Sequence, residues 1–347
     1  MCRKTIPWLS LTTLFCLLLL ACSPKEEDRA PEPSKALTRT TLQLQWVTQA
    51  QFAGYYVALD KGWYRDEGIE MTIKPGGPDT TPVDLVSAGT SDFGTALLTD
   101  LAVDIGKGKP VISIGQIQQA NGLLLIAKKN SGIEQPKDFL GKRVGVWMGN
   151  WETQFNALLA KEGLNANDVN LMAQGWSMNP FLRGELDVAS AMIYNEYHVV
   201  LESGIKPEEL NIIDYAHYGL DFPGDVLFTS HQVLKKNPGL CRGMLRASLK
   251  GWQYAMEHPE EAVDIVLKFD KSGIQTKQHQ LSMIKEITKL VQVTGRGLGY
   301  IDEVTIKRMI DLLVHYKLME TPIAYQDIFA AEILESIHKN KRKILND

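Results

Sequence analysis

From Thr41 onward the apolar positions follow two periods. Leu42, Leu44 and Trp46 alternate with Gln43 and Gln45, the period of two expected of a strand with one buried face. Residues 53–64 carry a helical pattern that closes near Gly68, and residues 69–73 read as a strand. Thr81-Pro82 opens a second helix, with threonine at the N-cap and proline at the first helical position. Asp92-Phe93-Gly94 ends a short strand, and 96–105 reads as a helix. Strands are then expected at 111–117, 123–127 and 144–147, the last followed at once by Gly149-Asn150 and a helix to Lys161. Further strands follow at 170–173, 188–193, 210–213 and 226–228, and beyond these the pattern is almost wholly helical. Strands alternating with helices predict an α/β fold with largely parallel sheets. The chain shows no internal repeat and no low-complexity tract.

Ahead of Thr41 the pattern changes. Arg3 and Lys4 precede an uncharged, mostly apolar run over 9–21. It is shorter than the roughly 20 residues a membrane-spanning helix needs. A basic start and a short apolar run predict a signal peptide over 1–21. The run ends Leu19-Leu20-Ala21-Cys22, which resembles a bacterial lipobox. That resemblance implies that the Cys22 thiol takes a diacylglycerol and becomes the new N-terminus; the alternative is an ordinary signal peptide with an incidental cysteine. Residues 22–40 are polar, with Pro24, Pro31 and Pro33, and read as a flexible tether. The expectation is an exported chain, lipid-anchored to a membrane and facing the periplasm or the cell exterior.

Without residues 1–21 the chain has 35 basic and 41 acidic residues, a net charge near −6. Nothing forms the clustered basic face that nucleic acid requires. Lys339, Lys341, Arg342 and Lys343 suit a helix C-terminus, where cations complement the dipole. Of four cysteines, Cys2 and Cys16 lie in the signal and Cys22 at the anchor. Cys241 alone remains, so no internal disulfide is expected. About 300 residues suffice for a core shared between two lobes.

In open α/β sheets ligands meet the loops at the carboxyl ends of strands. Here those loops are aromatic. Trp46 ends the first strand; Trp147, Asn150 and Trp151 follow another; Trp176 and Tyr194-Asn195-Glu196 follow two more. A flat heterocycle needs ring faces to stack on and a few polar groups to orient it. Trp46, Trp147, Trp176 and Tyr194 offer faces. Gln49, Gln51, Asn150, Asn195 and Glu196 offer hydrogen bonds, and an ionised Glu196 would accept strongly from an amine or ring N–H. Phe52, Gly94 and Thr95 complete the candidate site. Each residue has a structural alternative: a tryptophan after a strand can cap a core, and Asn195 can cap a helix. Trp63 reads as core, Trp252 as surface and Trp8 as part of the signal. Pro75-Gly76-Gly77-Pro78 reads as a turn. The seven histidines lack zinc-type spacing, and there is no G-x-S-x-G elbow. Arg183 is the one arginine in the candidate cleft blocks, and its helix–turn context reads as surface.

Several segments carry a family resemblance. Gln45-Trp46-Val47-Thr48-Gln49-Ala50-Gln51-Phe52-Ala53-Gly54-Tyr55-Tyr56-Val57-Ala58 is followed by Lys61-Gly62-Trp63-Tyr64 and Glu67-Gly68-Ile69. Then come Asp92-Phe93-Gly94, Gly141-Lys142-Arg143-Val144-Gly145, Tyr194-Asn195-Glu196 and Asp225-Val226-Leu227-Phe228. Over roughly residues 42 to 270 the chain resembles the family that joins bacterial receptors for thiamine pyrimidine precursors with the fungal thiamine-pyrimidine synthase. Alkanesulfonate, taurine and nitrate receptors are its wider relatives. The resemblance implies a type II periplasmic-binding-protein fold: two lobes about a hinge, 41–118 with 222–347 in one and 119–221 in the other, and a largely helical C-terminal part. It implies a monomeric substrate-binding lipoprotein without cofactor. Such a protein hands a small heterocyclic solute, such as a thiamine pyrimidine precursor, to the permease and ATPase subunits of an ABC importer. Gln51 and Phe52 stand where thiamine-pyrimidine receptors carry Asn and His, which leaves a flavin open as ligand. A receptor for an alkanesulfonate or other small anion, and a ligand-sensing partner protein, are further alternatives. The synthase resemblance implies chemistry on a histidine and pyridoxal phosphate with iron. Aligned on Asp92-Phe93-Gly94, however, its lysine falls at Ala96, its histidine at Asp100 and its cysteine-rich run on Leu220-Asp221-Phe222-Pro223-Gly224. An enzyme is therefore not expected.

Overall fold

The computed structural model describes residues 36–148, 151–292 and 297–344. The signal, Cys22, most of the tether and Asn150 lie outside the described residues. Two five-stranded sheets form the frame, in the orders β2-β1-β3-β10-β4 and β7-β6-β8-β5-β9. The first holds β1 (Thr38–Gln43), β2 (Ile69–Lys74), β3 (Phe93–Leu97), β4 (Val111–Gln116) and β10 (Asp225–Ser230). The second holds β5 (Leu123–Lys128), β6 (Arg143–Val146), β7 (Asn170–Ala173), β8 (Val188–Met192) and β9 (Leu210–Asp214).

The sheets are mixed rather than largely parallel. β10 runs antiparallel to β3 and β4, and β5 runs antiparallel to β8 and β9. Each is the first strand after the chain passes from one sheet to the other. It therefore arrives without the crossover helix that sets a parallel neighbour. With that strand set aside, both sheets have the same order: second, first, third, crossing strand, fourth.

Element edges differ from the pattern for identifiable reasons. β1 starts at Thr38, ahead of Thr41, because backbone pairing with Ile69–Lys74 runs its whole length and does not need apolar side chains. Asp92-Phe93-Gly94 opens β3 rather than closing it. Ala96 and Leu97 pair with β10, and the next helix is Leu98–Gly106. All five β3 residues are buried, so no apolar period separates strand from helix there. The helix expected over 53–64 ends at Asp60. Gly62 then turns the chain at φ 75° into Trp63–Asp66, a conformation glycine adopts without a Cβ penalty.

Two chain segments join the sheets, and they bind each other. Ile117 N–H and Gln118 N–H both donate to the Asp225 carbonyl, at 2.9 and 3.0 Å. Gly224 N–H donates to Gln118 at 3.0 Å, and Asn121 N–H to Phe222 at 3.1 Å. The Lys277–Val291 helix lies against this joint. Its Leu290 carbonyl accepts from Gln119 N–H at 2.8 Å, and its Gln280 accepts from Ala50 N–H at 2.5 Å.

Trp252, expected at the surface, is core at 1 % exposure. It lies on the Pro238–Glu257 helix, which packs on Ala53–Asp60. A Cβ on Gly54 would come within 2.3 Å of its ring, so the indole fills the space that glycine leaves. Cys241 is buried as a free thiol. Among the described residues no helix is long and apolar enough to cross a membrane.

Candidate functional site

Backbone pairing carries Trp46 out past the end of β1. Leu44 N–H donates to Lys74 at 2.9 Å, and Gly76 N–H donates to the Trp46 carbonyl at 2.8 Å. A Cβ on Gly76 would lie 2.3 Å from the Leu44 carbonyl oxygen, so the approach requires glycine. Gln49 is extended and leads into the 3₁₀ turn Ala50–Phe52. From the other sheet, Trp147 follows β6 directly, and its Nε1–H donates to Gly175 at 3.1 Å. Trp151 precedes the Thr153–Lys161 helix. Tyr194 and Asn195 link β8 to the Glu196–Glu202 helix.

These loops meet. The Trp46 ring contacts Trp147 at 5.9 Å and Trp151 at 5.7 Å between centroids, and those two lie 6.2 Å apart, all edge to face. This is the arrangement that ring quadrupoles favour. Trp46 comes from the first sheet's loops and the other two from the second's. With Gln49, Gln51, Met192, Tyr194, Asn195 and Glu196 they line a cavity in which about 10 Å³ is open to the centre of a water molecule. That is room for about one water. A wider cavity of about 360 Å³ shares Trp46, Gln49 and Asn195 and is bounded further out by Trp176, Ile274, Glu202 and His279.

Beneath the aromatic rings lies a buried amide network. The Asp225 carboxylate accepts from the side-chain amides of Gln45 at 2.8 Å, Gln51 at 2.9 Å and Gln118 at 3.1 Å. Gln49 donates to Gln51 Oε1 at 2.8 Å. Burial pushes the Asp225 carboxyl up to about 6, against the opposing pull of the Gln51 and Gln45 amides. Glu196 is 3 % exposed. Its carboxylate accepts from Met192 N–H at 3.0 Å and from the Asn195 amide at 2.8 Å. Burial nevertheless pushes its carboxyl up to about 7. Among the described residues no lysine, arginine or histidine lines the inner cavity.

Of the residues expected in the site, Trp46, Gln49, Gln51, Trp147, Tyr194, Asn195 and Glu196 line that inner cavity. Trp176 is 63 % exposed and sits at the outer mouth. Three do not face the cavity. Phe52 is turned into the core at 1 % exposure. Thr95 spends its hydroxyl on Gln45 N–H at 3.0 Å. Gly94 abuts the Phe228 ring, because β3 is covered on both faces. Asn150 lies outside the described residues. Arg183 is exposed and paired with Glu185 at 2.6 Å. The sequence pattern overlooked Met192, Asp225 and His279, and named Trp151 only in passing. Asp225 left one signal, a charged residue opening a run of buried strand positions. His279 left none, since it joins the site only through folding.

The family model described as NMT1/THI5 like matches residues 49–262. The riboflavin-binding protein RibY of Chloroflexus aurantiacus is 27 % identical over 345 residues, covering 94 % of this chain and 97 % of the relative. The 4-amino-5-hydroxymethyl-2-methylpyrimidine phosphate synthase of Legionella pneumophila is 29 % identical over 272 residues, covering 78 % and 84 %. Among solved structures, the periplasmic nitrate-binding protein NrtA from Synechocystis superposes with a TM-score of 0.67 at 13 % identity, covering 88 % of this chain and 89 % of that one. The two mixed sheets joined by paired crossings thus have the periplasmic-binding-protein fold, and the chain belongs to the NMT1/THI5-like family, among relatives that include periplasmic solute-binding proteins.

Proposed function

We propose that this chain is the exported, lipid-anchored substrate-binding subunit of an ABC importer, capturing a flat, uncharged nitrogen heterocycle that carries N–H donors. The observation that carries this reading is the composition of the inner cavity: three tryptophans, amide and carboxylate acceptors, and no cation among the described lining residues. Gln49 spends an N–H on Gln51 and keeps its Oε1 for a ligand. Glu196 adds a carboxylate. An acceptor-rich, cation-free site favours donors and disfavours sulfonates, nitrate and phosphorylated compounds, whose charge would be desolvated without a partner. A pyrimidine precursor of thiamine and the isoalloxazine ring of a flavin both meet this description. The likeness to RibY over nearly the whole of both chains supports keeping the flavin.

The tryptophans now occupy each other's faces. A ligand therefore enters by separating Trp46 from Trp147 and Trp151, and recloses the two halves by touching both. Population shifts toward the closed state by that difference in affinity. In this reading the lobes are 41–118 with 222–347, and 119–221.

The likeness to a synthase raises an enzymatic reading, but pyridoxal phosphate and iron find no holding residues at the aligned positions. Ala96 has no amine, Asp100 no imidazole, and residues 220–224 no thiol. We read the chain as a receptor without catalysis.

Titration calorimetry with riboflavin, 4-amino-5-hydroxymethyl-2-methylpyrimidine and an alkanesulfonate tests the proposal. At least one heterocycle should bind, and Trp46→Ala and Glu196→Gln should each weaken it about tenfold or more, since an aromatic platform is worth about 1–3 kcal/mol and 1.4 kcal/mol is a factor of ten. Binding of the sulfonate alone, or a Glu196→Gln affinity within twofold of the parent, sinks it.

A further inference from the structure

The Glu196 carboxylate is held by a chain of bonds that leaves the cavity and crosses between the two halves. Asn195 donates its side-chain N–H to Glu196 Oε1 at 2.8 Å. The Asn195 Oδ1 is turned the other way. His279 Nε2 lies 2.9 Å from that Oδ1 and therefore carries a hydrogen. His279 Nδ1 lies 3.0 and 3.2 Å from the two oxygens of Glu202. The ring is thus wedged between an amide and a carboxylate. It is 8 % exposed.

The partners come from different places. Asn195, Glu196 and Glu202 sit at and on the helix that follows β8 of the second sheet. His279 sits on Lys277–Val291, which packs mainly on the Pro259–Phe269 helix and the Ala50–Phe52 turn of the other half. In the same helix Gln280 accepts from Ala50 N–H, between Gln49 and Gln51. One turn of helix therefore bonds to Asn195 of the cavity lining and to the backbone between Gln49 and Gln51.

We propose that His279 is a positioning residue of the ligand site: by hydrogen bonding to Asn195 and Glu202 it orients the Asn195 amide that holds Glu196, and it ties the two halves together in the closed form. This rests on the binding reading above. Removal of these hydrogen bonds frees Asn195 to rotate, loosens Glu196 and releases one cross-half contact. The tryptophan cluster, packed across the same boundary, becomes more open to solvent.

Two variants separate this role from ring packing. His279→Phe keeps an aromatic ring without N–H groups. His279→Gln loses the ring but places an amide N–H near the position of Nε2. The readouts are acrylamide quenching of tryptophan emission in the ligand-free chain, and affinity for riboflavin and for 4-amino-5-hydroxymethyl-2-methylpyrimidine. His279→Phe should raise quenching and weaken whichever probe the parent binds by tenfold or more; His279→Gln should restore quenching to the parent level and affinity to within threefold. Parent-like quenching in His279→Phe overturns the proposal, as do equal defects in the two variants. If the parent binds neither probe, the ligand reading fails by itself, and the quenching comparison still decides the role of His279.

Discussion

Glu196 and Asp225 each sit where water is scarce; Glu196 is kept there by a backbone and an amide donor, Asp225 by three side-chain amides. Their folded values, about 7 and about 6, lie above the ordinary 4.5 and 3.8. The folded state therefore binds protons more tightly than the unfolded chain. Their contribution is most favourable below about pH 4, where both states are protonated. It is lost as pH rises through the folded values, and is flat above about pH 7. The slope for one such group is on the order of 1.4 kcal/mol per pH unit. Thermal unfolding measured from pH 4.5 to 7.5 should show this loss, superimposed on all other titrations. Glu196→Gln should flatten it relative to the parent, because the amide has no proton to give up. A variant whose pH slope matches the parent would show that Glu196 is solvated in the folded state.

At the scale of elements, the closest contact is between helices. Ala53–Asp60 and Pro238–Glu257 approach through Gly54 and Gly251. A Cβ on Gly251 would stand 1.9 Å from the Gly54 carbonyl oxygen and 2.9 Å from the Ala58 methyl. Backbone cannot yield as a side chain does, so Gly251→Ala must push the helices apart. Overpacking of this kind costs roughly 1–3 kcal/mol or more, which outweighs the helix propensity gained with alanine. Gly239→Ala in the same helix meets its nearest neighbour at 3.4 Å and serves as the control. Urea unfolding should show a clearly lower midpoint for Gly251→Ala and a midpoint near the parent's for Gly239→Ala. Equal midpoints would mean that the helices slide freely. Because Ala53–Asp60 follows directly on the turn that carries Gln49 and Gln51, loosening this seam also reaches the ligand site.

For the whole molecule, the paired crossings and the Lys277–Val291 helix make a joint that both halves share. The bonds of Asp225 connect that joint to the cavity: its carbonyl accepts from Ile117 and Gln118, while its carboxylate holds Gln45, Gln51 and Gln118. One residue thus bonds both to the crossing segments and to the site amides. The proposed anchor belongs to this scale too, since it would place the binding domain beside a membrane importer. Cys22→Ala should move the protein from the membrane fraction to the soluble fraction of cells that express it. An unchanged distribution would remove the lipid from the proposal.

The alternation of apolar runs determined the strands and helices, and the aromatic loops after them pointed to most of the cavity lining: Trp46, Trp147, Tyr194, Asn195 and Glu196. These features are local, because a strand's end and the residue beyond it are neighbours in the chain. Pairing direction was not legible, since β5 and β10 owe theirs to where the chain arrives from rather than to their composition. Phe52, Gly94 and Thr95 do not line the cavity, because a buried strand or turn has two covered faces, and sequence does not say which one meets a ligand. Trp252 became core only because Gly54, far away in the chain, left room for it. Asp225 and His279 entered the site through side-chain bonds to residues on distant elements. Such bonds leave no period and no spacing in the sequence; only the packed tertiary structure brings their donors and acceptors within reach.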